Sequence, residues 1–408
     1  MAKDVNPPRG NRDFLPLEKQ KREQVLGVIV DTYRQHGFQQ IEAPVMEDLA
    51  RLTSGQGGDN EKLAFRVMKR GEELDRALED NSGADNLADL GLRYDLTVPL
   101  TRFYATNRSK LPNVFKSIQT GPVFRAERPQ KGRYRQFVQC DIDIIGDSTE
   151  LAEVELLNAS LDALAAIGLA DATIRVNHRS LLSANIAALG VAEDQAASAM
   201  ITIDKLDKLG IDGVAAEMET KFGASASAKA GEWLRSIEGD LEVPAELANL
   251  FAIVGARHPG KLRFDPTLVR GMGYYTGQIF EIEHPESGSS IGGGGRYDGM
   301  VGRWLGTDVP AVGISIGFER AVDLVGDGLL GSPEGIVLVV DEDSAALANA
   351  LKVQAELIET GEPSVRLERR PKKLNLLLEN LATQGFGRFA FVSAATNSVA
   401  DLQIKDIA

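Results

Sequence analysis

Residues 121–143, GPVFRAERPQKGRYRQFVQCDID, constrain this chain more than any other stretch of it. Arg125, Arg128, Lys131, Arg133 and Arg135 crowd into a short segment of a protein whose formal net charge is −14. The flanks alternate as strands do, with Val114, Phe115 and Ile118 before the segment and Phe137, Val138, Ile142 and Ile144 at its end and beyond. Between them, ERPQKGR carries proline and glycine and reads as a loop. The pattern predicts an antiparallel hairpin with a cationic tip. A solvated basic turn is the plainer alternative. Arginines on strand arms beside apolar neighbours are costly unless used, and cations so placed suit a polyphosphate, a nucleic-acid end, or both.

Elsewhere the chain alternates helical and strand patterns. Residues 17–36 carry apolar positions at helical spacing and stop at Gly37. A strand is expected over 38–45 and another over 90–99, followed by a helix over 100–107. Residues 53–86 are polar, open on the glycine-rich SGQGGDN, and suggest a segment that orders over a ligand, with a helix or loop near 71–79. A helix over 150–167 and a strand over 172–177 precede an Ala- and Leu-rich helical stretch, about 179–260, read as an insertion. Strand patterns return at 264–269, 274–282 and 291, and a helix at 317–324. A linker, 326–334, separates a small α/β domain over 335–408.

Four further groups could carry chemistry. Asp95 and Thr97 stand two apart in RYDLTVP, where a strand would put them on one face; a strand-end turn or helix cap is the competing reading. Gln139, Asp141 and Asp143 alternate with Cys140, Ile142 and Ile144, as in a half-exposed strand, yet acids in a cleft would attract an amine or a metal. Arg270 sits among glycines ahead of Tyr274 and Tyr275, which offer ring faces and hydroxyls to a flat polar ligand. Finally, IGGGGRYDGM (291–300) and VGISIGFER (312–320) are glycine-rich, and the second ends on Arg320 near a helix start. The glycine run is no P-loop, because the Lys-Ser/Thr ending is missing.

Composition narrows the class. A single cysteine, Cys140, leaves no intramolecular disulfide and no cysteine-cluster zinc site. The four histidines are scattered and suggest no metal site. A pI near 5.0 argues against broad nonspecific nucleic-acid binding, while leaving local basic patches free to act. The opening MAKDVNPPRGNRDF holds no apolar run, so no signal peptide is expected, and no stretch suits a membrane span. An intracellular soluble protein is expected.

Taken in order, these segments resemble histidyl-tRNA synthetase, a class II aminoacyl-tRNA synthetase. The resemblance runs from RGNRDFLP (9–16) to about residue 336. Residues 37–47 are similar to the first class motif at the dimer interface, the arginine-rich hairpin to the second, and 312–320 to the third. RGMGYYTG and GGGGRYDG resemble the two histidine-specific signatures, with Gly273 where an acid is usual, Asp143 where glutamate is common, and Val138 where histidine is common. The C-terminal domain resembles the family's anticodon-binding domain, although it is short.

The resemblance implies an α+β fold. A class II antiparallel-sheet catalytic domain would span 1–325, with its helical insertion at about 179–260, and a small α/β domain would follow. It implies activation of L-histidine by ATP with Mg²⁺, then transfer to tRNA(His), in a cytoplasmic homodimer. By resemblance, Arg125 would hold the α-phosphate and carboxylate, Arg320 the γ-phosphate, and Arg270 would neutralise phosphate charge opposite Arg125. Asp95, Thr97, Gln139 and Asp143 would bind the amino group and its surroundings, Tyr274 and Tyr275 the imidazole side, with Arg270 alongside. Arg128 and Arg133 would meet ATP or the tRNA acceptor end. No resident protein-bound metal is expected. Two alternatives remain open at this level: a silent paralogue serving as the regulatory subunit of ATP phosphoribosyltransferase, and a paralogous synthetase of altered specificity.

Overall fold

The protein is described from a computed structural model, which covers residues 5–54, 58–80, 83–129, 132–237, 239, 241–270, 274–326, 328 and 335–407. The chain divides into two compact units, one of residues 1–12 and 26–325, the other of residues 13–25 and 326–408.

In chain order, the long helix α1 (Pro16–Gln35) is followed by β1 (Gln39–Gln40), β2 (Met46–Asp48), α2 (Leu49–Leu52), β3 (Phe65–Met68), α3 (Glu72–Glu79), β4 (Ala88–Leu92) and α4 (Thr97–Asn107). The hairpin is β5 (Phe115–Phe124) and β6 (Gln136–Ile145), and α5 (Leu151–Ala166) and β7 (Thr173–His178) follow. Five helices come next: α6 (Arg179–Ala188), α7 (Ala196–Ile203), α8 (Leu206–Phe222), α9 (Ala224–Ser236) and α10 (Ala245–Arg257). The unit closes with β8 (Leu262–Phe264), β9 (Gln278–Glu283), β10 (Gly292–Arg296), α11 (Asp298–Leu305), β11 (Ala311–Gly317) and α12 (Phe318–Leu324).

Among the described residues, the main sheet has eight strands in the order β1-β5-β6-β11-β10-β9-β7-β8. From β5 to β7 every neighbour is antiparallel, and only the edge strands β1 and β8 pair parallel. The hairpin aligns Phe115 with Ile145 and Phe124 with Gln136 without a break. Glycines make the centre possible. A Cβ on Gly294 would lie 1.9 Å from the Gly313 carbonyl oxygen, so β10 and β11 approach more closely than any larger residue would permit.

The sheet is covered on both faces, so Cys140 through Ile145 are all buried and the expected half-exposed β6 does not occur. At one end Phe115 and Ile145 join Leu100, Tyr104, Met300 and Val301 of α4 and α11 in one core. The α6–α9 helices form a core of their own from Leu182, Ile186, Met200, Ile203, Val214, Met218 and Leu234, joined by Val269 and Ile279. Arg296 and Glu153, both buried, form a two-pronged ion pair with contacts of 2.6 and 2.7 Å. Removing one partner of such a pair strands the other charge. Glu153→Ala is therefore expected to cost about 3–5 kcal/mol, read as a lowered urea midpoint. An unchanged midpoint would mean that Asp298, 3.3 Å from Arg296, suffices.

Several strand expectations need correction. The strand expected over 38–45 shrinks to Gln39–Gln40, which pairs with β5 only at the sheet edge, and Pro44, which has no N–H to donate, does not extend it. The strand expected over 90–99 stops at Leu92, and α4 starts at Thr97 with Pro99 in its first turn, where a missing N–H costs little. The strand at 264–269 is absent after Phe264: Asp265 bonds the backbone and hydroxyl of Thr267 (2.9 and 2.6 Å) around Pro266, making a turn. Tyr274 and Tyr275 precede β9 rather than belonging to it. Residues 53–86 also hold β3, which joins β2 and β4 in a three-stranded sheet the sequence reading missed.

The second unit carries β12 (Gly335–Val340), α13 (Ser344–Glu359), β13 (Val365–Arg369), α14 (Leu374–Ala382), β14 (Phe386–Val392) and β15 (Lys405–Asp406). Ile336, Leu338 and Val340 join the α13 core, while Val337 and Val339 meet Leu381 of α14. A strand buried on both faces explains its unbroken apolar run. Among the described residues, no helix is long and apolar enough to cross a membrane.

Candidate active site

The polar face of β6 is the spine of the site. Residues two apart share a face, so Ile145, Asp143, Asp141, Gln139 and Phe137 run in line from the α4/α11 core to an open cavity. That cavity, about 490 Å³, is lined by Arg125, Arg133, Arg270 and Arg320, with Phe137 at its wall.

The deep end is acidic and deprived of donors. Asp95, Asp141 and Asp143 are each at most 7% exposed. Tyr297 donates its hydroxyl to Asp143 Oδ1 at 2.6 Å. Gly313 lies opposite; a Cβ there would sit 1.9 Å from the same oxygen, so glycine makes the space for the carboxylate. Among the described residues, Asp143 Oδ2, Asp141 Oδ1, Gln139 Oε1 and Gln119 Oε1 are buried and accept no hydrogen bond. Burial pushes Asp143 up to about 7; the Tyr297 bond works against that, and the nearby Asp95 adds to it. Burial likewise raises Asp95 to about 6, opposed by the Val98 amide and by Arg125. Asp141 is raised well above the usual carboxylate range, by burial first and Asp143 second. A cluster of buried acceptors without donors favours a cationic, donor-rich ligand.

Asp95 and Thr97 do not share a strand face. Asp95 precedes α4 and Thr97 is its first residue; Asp95 accepts from the Val98 amide at 3.1 Å, a turn beyond the strand end, while the cap position, Leu96, makes no side-chain cap bond. Tyr274 and Tyr275 meet edge to face with ring centres 4.4 Å apart. Burial raises both hydroxyls; Asp95 acts further on Tyr274, and Asp143 on Tyr275.

The shallow end is cationic. Arg125 donates to the Tyr94 carbonyl at 3.0 Å and lies over the Phe137 ring at 5.1 Å. Arg270 Nη1 contacts Glu281 (2.6 Å), Ser290 Oγ (3.2 Å) and the Gly292 carbonyl (3.1 Å). Arg320 donates to the Ser290 carbonyl. Its pKa is lowered, first by desolvation and then by Arg133 and Arg270, which marks the crowding of like charge. Such a cluster favours a polyanion. Glu319 pairs with Arg12 and accepts from the Val138 amide at 3.0 Å, and Arg12 stacks 3.5 Å from the Tyr134 ring centre. A buried acidic cluster thus adjoins an arginine-lined cavity.

The family model for histidyl-tRNA synthetase matches residues 10–321. A histidine–tRNA ligase of Leifsonia xyli subsp. xyli (strain CTCB07) is 52% identical over 432 residues, covering 100% of this chain and 99% of the relative. The chain belongs to the histidyl-tRNA synthetase family. A probable histidine–tRNA ligase of Tropheryma whipplei (strain Twist) is 39% identical, covering 95% of this chain and 96% of that protein. Among solved structures, histidyl-tRNA synthetase from Nostoc sp. PCC 7120 superposes with a TM-score of 0.75 at 25% identity, covering 99% and 95% of the two chains. An ATP phosphoribosyltransferase regulatory subunit/histidyl-tRNA synthetase from Bacillus halodurans C superposes at 0.74 with 19% identity, a likeness of fold alone, over 96% of this chain and 98% of that one.

Within this synthetase fold, the expected Arg125, Arg133, Arg270 and Arg320 line one cavity, and Gln139 and Asp143 lie on the strand that leads into it. Arg128 is exposed in the hairpin loop and does not line the cavity. Lys131, Gly273, residues 55–57 of SGQGGDN and most of the 326–334 linker lie outside the described residues. The sequence reading missed Glu281, Ser290, Tyr297 and Glu319 as site residues; it named Asp141 among acids that could attract an amine or a metal but not among the residues the resemblance carried over. Glu319 stands beside Arg320 and Tyr297 follows the glycine run, so both were within reach. Glu281 had no signal, because its partners are remote in sequence.

Proposed function

We propose that this synthetase activates L-histidine with ATP and transfers it to tRNA(His). The observation that carries this reading is the junction of a buried cluster of carboxylates, with acceptor oxygens to spare, and a four-arginine cavity. The first matches an amino acid's ammonium and imidazole N–H groups, and the second a triphosphate. In the proposed reaction a histidine carboxylate oxygen attacks the α-phosphorus and pyrophosphate leaves. A free carboxylate needs no general base, so the protein's work is orientation and charge neutralisation.

Arg125 holds the α-phosphate and carboxylate, Arg270 the phosphate charge opposite, and Arg320 the γ-phosphate. Asp95, Thr97, Gln139 and Asp143 hold the amino group and its surroundings, while Tyr274 and Tyr275 border the imidazole. Arg128 and Arg133 meet ATP or the acceptor end of tRNA. The cavity carboxylates Glu127, Glu281 and Glu319 each already pair with an arginine. Among the described residues no group of three or more His, Cys, Asp or Glu side chains could hold a metal ion. Magnesium would enter with ATP, held by phosphate oxygens and water together with at most one or two carboxylates. The assembly proposed is a cytoplasmic homodimer whose 335–408 domain reads the anticodon and whose helices over about 179–260 form an insertion.

Charging of a tRNA pool with labelled histidine tests this. ATP-dependent label on tRNA that competes only with unlabelled histidine is the expected result. No label from folded protein would refute the transfer step.

A further inference from the structure

The cavity's arginines need something to hold them before a ligand arrives, and for Arg270 the sheet register supplies it. Glu281 of β9 lies between Arg175 of β7 on one side and Gly293 of β10 on the other. Gly293 leaves its place empty; a Cβ there would come within 2.7 Å of the Arg270 guanidinium carbon. Arg270 therefore crosses over β10 and reaches Glu281 Oε2 at 2.6 Å. The other oxygen, Oε1, is taken by Arg175 at 3.2 Å. Arg175 is itself fixed by Asp265 (2.6 Å from Nε), Glu283 (3.0 Å) and Asp207 of α8 (3.5 Å), and its side chain is only 10% exposed.

We propose that Glu281 is a positioning residue for the adenylation reaction, fixing Arg270 by one carboxylate oxygen while Arg175 fixes Glu281 by the other. Three features support it. Every contact of Arg270 with Glu281, Ser290 and Gly292 uses Nη1, and among the described residues no contact uses Nη2 or Nε, which stay available for a phosphate. Arg320 reaches the Ser290 carbonyl while Arg270 reaches the Ser290 hydroxyl, so two like charges are held near one residue and need a counter-charge. Because Arg175 shares the charge of Glu281, Arg270 is oriented without being fully neutralised. Asp207 brings α8 to the outer end of this chain of ion pairs. It is 77% exposed, so its own contribution is small.

The inference rests on the proposed adenylation. Its test is histidine-dependent ATP–pyrophosphate exchange by wild type, Glu281→Gln and Glu281→Asp, each also in an Arg270→Ala background. Glu281→Gln keeps the shape and Glu281→Asp keeps the charge, so at least one folded variant is expected by thermal melt. In the wild-type background kcat should fall about 10–100-fold with little change in KM for ATP, the signature of a misplaced group rather than a lost binding contact. In the Arg270→Ala background the further loss should be about twofold or less, because the group being positioned is gone. Wild-type rates in folded Glu281 variants, or equal losses in both backgrounds, would overturn the proposal. Wild type without any histidine-dependent exchange would instead overturn the functional reading beneath it.

Discussion

Arg270→Ala should lower kcat for histidine-dependent ATP–pyrophosphate exchange by about 10²–10³-fold while the protein stays folded. Arg270 lines the same cavity as the hairpin's Arg125 and is held there before any ligand arrives. A pre-placed guanidinium costs no reorganisation as charge grows on the α-phosphate, so its loss falls on the transition state and appears in kcat. Arg320 faces the same cavity and keeps triphosphate affinity, so KM for ATP should move less than kcat. Glu281 would lose a partner but keep Arg175, so global unfolding is not expected. A variant with wild-type kcat would remove Arg270 from the reaction. One with unchanged kcat and a raised KM would reduce it to an ATP anchor.

Asp143→Asn should have opposite effects on stability and activity. In the ligand-free protein burial raises Asp143 to about 7 and Asp95 to about 6. Between about pH 4 and 7 the folded state keeps protons that the unfolded chain has released. The stability these groups contribute is full below about pH 4 and is lost as pH rises through 6 to 7. At pH 8 the folded protein carries a buried carboxylate that asparagine would not. The variant should then be more stable than wild type by about 2–4 kcal/mol, with the gain gone near pH 4. Asparagine can still accept the Tyr297 hydroxyl, so the local packing is kept. Exchange should nonetheless fall by about 10–10²-fold, because the anion that meets the substrate's N–H groups is missing. Histidine should raise the melting temperature of wild type at pH 8 and raise that of the variant far less. Parallel stability–pH curves for the two proteins would contradict this account.

Local pattern revealed much of the frame. The hairpin, α5 and the second unit's alternating strands and helices stand close to where periodicity put them, since each has a clear apolar repeat and a glycine or proline stop. Two prolines were read into strands that stop before them. Pro99 was read as the end of a strand and sits in the first turn of α4, and Pro266 turns the chain where a strand was expected. The acids of β6 looked half-exposed because alternation reports only that two faces differ. Burial of β6 comes from outside the strand: α5 and α12 pack against it, while α4 and α11 join Ile145 at one end of the polar face, and all of that depends on tertiary packing. The arginines were legible because charge on strand arms is unusual. Glu281 was not, since its meaning comes from Arg175 and Arg270, placed beside it by sheet register and by the missing side chain of Gly293.

The central claim is that the buried acidic cluster and the arginine cavity together activate histidine. ATP–pyrophosphate exchange without tRNA, run across the common amino acids, tests it most directly. Exchange with histidine alone, lost in Arg270→Ala and reduced in Asp143→Asn, is the predicted result. No exchange from folded protein with any amino acid, or exchange that does not prefer histidine, would contradict it.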